Sequence, residues 1–140
     1  MKLSLEALKK SLNFIRESPD DSGIIELMCI RPAVDERLIV ESAKLSTTKG
    51  MAGDNWRVKP SSSMPNGEPH PAKQLTLMNS RAITAIAVNK DRWALAGDQI
   101  YVDMNLSYSN IPPGTKLQLG TAVIEISEPL PMFIKPSVPL

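Results

Sequence analysis

A chain of 140 residues with 16 Lys and Arg against 15 Asp and Glu has a formal charge of +1. That balance excludes the clustered basic excess carried by most nucleic-acid and anionic-membrane binders. One cysteine, Cys29, excludes an intrachain disulfide framework and any site assembled from several thiolates, while 42% apolar residues suit one globular domain. Aromatics supply only 4%, so the core must be aliphatic, and 12 prolines argue against a helical bundle.

The first 17 residues interleave charge with apolar side chains, so they lack the continuous apolar run of a targeting signal. No stretch approaches the roughly 20 apolar residues of a membrane span, and the expected compartment is a reducing cytoplasm. Leu5, Leu8, Leu12 and Ile15 recur at helical spacing, which predicts an N-terminal amphipathic helix within residues 1–18. Ser4 suits its cap, Glu6 its positive end, and Ser18-Pro19 its stop.

From Gly23 the period changes to two. Ile24–Ile30 reads as a buried strand ended by Arg31-Pro32, with Cys29 on the face of Ile25 and Leu27, packing as a small hydrophobe. Arg37–Ala43 is a second strand candidate, followed by turn-forming residues 46–53. Residues 59–73 hold four prolines and Asn66-Gly67, which predicts a long loop, and His70 within it is expected to be solvated.

Gln74–Met78 predicts a short strand, then a helix capped by Asn79 or Ser80 with Ile83, Ile86 and Ala87 on one face. Backbone N–H groups at Asn79-Ser80-Arg81 could receive an anion. Asp98–Met104 alternates as a strand, Pro112-Pro113-Gly114 marks a turn, and Gly120-Thr121 suits a two-residue hairpin turn. Six or seven strands and two helices, with no strand–helix rhythm, favour a barrel-like mainly β domain over a doubly wound parallel sheet. Phosphate loops, nucleophile elbows and His-rich metal sites are absent from the sequence, which leaves any catalytic residue unknown and gives no metal ligand set.

Five blocks in order, spread over residues 24–127, carry a resemblance. They are Ile30-Arg31-Pro32; Lys49-Gly50-Met51-Ala52-Gly53-Asp54-Asn55-Trp56; Gln74 to Ile83; Trp93 to Asp103; and Pro112 to Ile126. Together they resemble the MOSC domain family, the C-terminal module of molybdenum cofactor sulfurases and of small bacterial proteins. The resemblance implies a mainly β, MOSC-like β-barrel over residues 23–128, with an N-terminal amphipathic helix and one short internal helix. It implies a cleft for molybdenum cofactor (molybdopterin), a family-level association with pyridoxal phosphate, and sulfur transfer or molybdenum-dependent catalysis.

Carried over by position, the implied cofactor-binding residues are Arg31, Asp54, Asn55, Ser80 and Gln99. Arg31 follows the first strand and Asp54 completes the Gly-Asp signature. Asn55 stands where a basic residue is frequent, Ser80 at a polar strand–helix junction, and Gln99 where many members have asparagine. A pterin phosphate would want Arg and helix-end N–H donors, and a pterin ring would want amides.

The family places a cysteine after a proline-containing segment, where this chain has Ser127-Glu128-Pro129-Leu130-Pro131-Met132. A thioether cannot ionise to the thiolate that accepts sulfur or binds molybdenum strongly. The resemblance therefore leads to the expectation of an incomplete domain followed by a Pro-rich apolar tail, 129–140. Two readings stand: a molybdenum-cofactor protein, or a degenerate non-catalytic module. The second would bind a small anionic ligand or associate with a partner through the tail, with neither nucleic acid nor membrane as partner.

Overall fold

The computed structural model describes residues 4–33, 35–46, 50–54, 75–87, 89–128 and 133–136, the last four by backbone alone. Helix α1, Leu5–Arg16, starts where expected: the Ser4 hydroxyl accepts from the Ala7 N–H at 3.1 Å. It ends at Glu17, ahead of Pro19. Its apolar stripe is less covered than the spacing predicts, since Leu5 is 68% and Leu12 48% exposed. The Leu8 side chain lies outside the described residues.

The strands are β1 (Ile24–Ile30), β2 (Leu38–Val40), β3 (Leu45–Ser46), β4 (Gly50–Met51) and β5 (Leu75–Asn79). After β5 come α2 (Ser80–Ile86) and a 3-10 helix (Lys90–Ala96). The remaining strands are β6 (Ile100–Asp103), β7 (Lys116–Leu119), β8 (Ala122–Glu128) and β9 (Phe133–Pro136). The fold is mainly β with three short helices among the described residues, one more than expected. The added 3-10 helix is held by tertiary contact: Trp93 packs 5.8 Å from the Tyr101 ring, and the Tyr101 hydroxyl donates to the Trp93 carbonyl at 2.7 Å.

Seven strands form one sheet in the order β2-β1-β6-β5-β9-β8-β7, while β3 and β4 pair separately. The β5–β6 pair is parallel, so β5, α2, the 3-10 helix and β6 make one strand–helix–strand crossover that the sequence pattern did not announce. Residues 133–136, expected within a tail, instead form β9, paired on both sides with β5 and β8. Gly120 and Thr121 do make the predicted hairpin turn, with Leu119 opposite Ala122 and Gly120 at φ 60°.

Five strand spacings separate β1 from β7 in that order, about 24 Å in a flat sheet. Yet Ile25 and Met28 of β1 share a groove with Leu119 of β7, so the sheet curls strongly. It does not close: edge strands β2 and β7 pair with each other nowhere among the described residues. The closed barrel of the expectation is therefore not seen, and a strongly curled open sheet stands in its place.

Alternation splits the core. Ile100 and Val102 of β6 face the inside of the curl with Ile30, Met51, Leu75, Leu77, Ile124 and Ile126. Tyr101 faces the helices with Leu27, Cys29, Ile83, Trp93 and Ala94. A bulge breaks the alternation of β1: Ile25 opposes Val102 and Leu27 opposes Tyr101, so Glu26 is one residue extra. Cys29 thus shares a face with Leu27 but not with Ile25, which turns to the inside. On α2, Ile83 is buried while Ile86 is 77% exposed, so the expected three-residue face is not formed.

Candidate functional site

Three of the five sequence-selected residues meet at one end of the sheet, where β1 ends and β5 and β6 begin. Arg31 leaves β1 and Asp54 follows β4 through a turn, its N–H donating to the Met51 carbonyl at 3.0 Å. The Asp54 carboxylate is fully buried and takes Arg31 on both oxygens, Nε to Oδ1 at 3.1 Å and Nη2 to Oδ2 at 3.0 Å. The Arg31 backbone N–H adds a third bond to Oδ1 at 2.7 Å, and Nη1 reaches the Gly97 carbonyl at 3.5 Å. Bidentate geometry of this kind is the strong form of the pair. It also leaves Arg31 little free charge to offer an external anion.

Gln99 lies at the same end of the sheet with no exposed surface. Its Oε1 accepts from the Thr76 N–H at 2.8 Å, and its own N–H donates to the Thr76 hydroxyl at 3.2 Å. Its carbonyl accepts from the Cys29 N–H at 2.7 Å, so the residue stitches β5, β1 and the start of β6 together. Gln99 Nε2 is buried without a hydrogen-bond partner among the described residues. The neighbouring Asp98 carboxyl is pushed up by burial, against the opposing pull of the Thr76 hydroxyl and the Arg31 charge. Thr76 was not singled out by sequence reasoning; its one signal was a hydroxyl inside an otherwise apolar strand.

Ser80 lies elsewhere. It follows the far end of β5, four residues beyond Thr76 and about 13 Å along the strand. It is 1% exposed, and its hydroxyl has no partner among the described residues. The anion-receiving junction foreseen at Asn79-Ser80-Arg81 is already engaged. Asn79 Oδ1 accepts from the Ala82 N–H at 2.9 Å, Arg81 Nε donates to Asp103 at 2.8 Å, and Arg81 Nη1 donates to the Phe14 carbonyl at 2.9 Å. This corner ties α1 to α2 and β6. Asn55, the fifth residue, lies outside the described residues.

Cys29 is fully buried on the helix side of β1, and burial pushes its thiol up despite the Leu38 backbone and the Arg37 charge. Among the described residues no three His, Cys, Asp or Glu side chains stand together as a metal group. The described donors at this end are largely engaged and fit a molybdenum cofactor poorly: Asp54 binds the Arg31 guanidinium, Arg37 donates to the Ala94 and Glu36 carbonyls at 3.2 and 2.8 Å, Gln99 is sealed from the surface, and the thiol is interior. Compared with protein-family models, with curated proteins and with solved structures, the chain finds no match. No helix among the described residues is long and apolar enough to cross a membrane.

Proposed function

We propose that this chain is a MOSC-domain protein, related to the modules that bind molybdenum cofactor, and that it works as a binding module rather than a sulfur carrier. One observation carries the family reading. Arg31, Asp54 and Gln99 come from three separate blocks of the resemblance, and all three meet at the same end of the sheet. Blocks that matched by chance would have no reason to converge. The curled sheet supports an open relative of the family's barrel.

The binding role rests on Cys29. A thiol sealed in the core with its proton held cannot present a sulfur nucleophile. The ligand on this reading is a small anion or a partner protein. A second reading, cofactor-dependent sulfur transfer or molybdenum-dependent reduction, has Gln99 Nε2 in its favour, a buried amide donor lacking a partner among the described residues. Metal and pterin analysis of folded protein from cells that make the cofactor separates the two. The binding-module reading expects neither in stoichiometric amount; both together would establish the second.

A further inference from the structure

The inside of the curl opens into a groove of about 790 Å³, within the range of about 300–1,000 Å³ typical of ligand sites. Its walls are β1 and β6 on one side and the β7–β8 hairpin on the other. Ile25, Met28, Ile100, Leu119 and Val123 make it apolar. The bulge at Glu26 matters here, because it turns Ile25 into the groove instead of the helix-side core. None of Arg31, Asp54, Ser80 and Gln99 lines it, so it is separate from the polar end of the sheet.

Charge in the groove is one-sided. Among the described residues lining it, Lys44 is the one charged residue and none is acidic. Lys44 forms no salt bridge among the described residues, while its carbonyl accepts from the Ala52 N–H at 2.8 Å and fixes the backbone there. Ile25 and Leu119 also line a second, neighbouring hollow of about 530 Å³, where Asp21 and Lys116 both stand. A carboxylate would meet a cation with no acidic partner among the described residues at the Lys44 end, and residues of both signs at the other.

We propose that this groove binds an amphipathic carboxylate, an unbranched acyl chain along Ile25, Met28 and Leu119 with its carboxylate on the Lys44 ammonium. The apolar walls supply affinity by excluding water from the chain, and Lys44 sets the direction and the preference for an acid. This site stands independently of the family reading above.

The test is calorimetric titration of the full chain at pH 8 with dodecanoate below its micelle concentration, and with dodecan-1-ol. One dodecanoate per chain is expected, bound about five-fold more tightly than the alcohol, the upper range for an exposed ion pair. Lys44→Gln should bring acid and alcohol within about two-fold. Ala43→Trp, which adds bulk at an exposed position of the groove wall, should abolish binding of both while leaving the melting midpoint in place. No binding to the unaltered chain, several molecules per chain, or equal binding of acid and alcohol would overturn the proposal. So would sedimentation of the chain as a dimer that Ala43→Trp converts to a monomer, which would assign the groove to a second copy.

Discussion

Asp54 holds Arg31 by three hydrogen bonds, two from the guanidinium and one from the backbone N–H, across 23 residues of sequence. The carboxylate has no exposed surface and the arginine side chain only 18%. Removing either member of such a pair strands the other in a poorly solvated place. Asp54→Ala and Arg31→Ala are each expected to cost about 3 kcal/mol of folding stability in urea titration. The double variant should cost clearly less than the sum, and strict additivity would show that the two do not act as a pair.

Gly53, just before Asp54, has φ +87° and lies so close to Ile30 that a Cβ would meet Ile30 Cδ1 at 2.8 Å. Alanine there meets both a left-handed backbone, at about 1–2 kcal/mol, and a collision. Ile30→Val removes the colliding methyl without relieving the backbone. Gly53→Ala should therefore cost about 1 kcal/mol less in the Ile30→Val background than alone. Equal costs in both backgrounds would leave the backbone as the whole effect.

Cys29 should behave as a core residue. Its sulfur is buried, its S–H lies 3.5 Å from the Ile30 carbonyl, and burial keeps it protonated at neutral pH. In native protein a disulfide reagent such as dithionitrobenzoate should label it only at the rate of unfolding. In urea one thiol per chain should react at once. Fast labelling of folded protein would place the thiol at the surface and remove the main support for a binding role.

Asp98 makes stability depend on pH. Its pKa is raised in the folded chain above the ordinary 3.8, chiefly by burial. The unfolded chain therefore gives up this proton first as pH rises. The contribution of Asp98 is at its most favourable below 3.8 and is lost as pH climbs through the raised value. Asp98→Asn, which has no proton to lose, should be more stable than the parent at pH 7 by about 1 kcal/mol. Near pH 3 the two should melt together. A constant difference across pH would trace the effect to something other than ionisation.

Much of the local structure was legible because it is set by short-range chemistry. Ser4 at the start of α1, the Asn79 cap of α2 and the Gly120-Thr121 turn each depend on residues within a few positions of one another. The face of Ile25 was not legible, since an inserted residue is visible only against the partner strand that it slips past. Nor was the exposure of Ile86, which depends on how far the sheet extends beneath α2. For the site, motif order selected Arg31, Asp54 and Gln99 together, and they do meet. The same reasoning could not tell that the Arg31 charge is already matched by Asp54. It could not separate Ser80 either, because β5 runs between Thr76 and Ser80 and sends them to opposite ends.

The position of β6 bears on the order in which the chain can assemble. It lies between β1 and β5, and Ile100, Tyr101 and Val102 are buried. Both neighbours precede it in sequence, so during synthesis both leave the ribosome before the strand they need. Until then β1 can pair only with the three residues of β2, and its face of Leu27 and Cys29 has no Tyr101 to cover it. Long-range pairing of this kind is slow, and waiting strands are open to wrong neighbours. For this chain the hazardous interval in the cell is the time taken to translate from Ile30 to Asp103, an interval in which a chaperone that holds extended apolar segments has its natural opening.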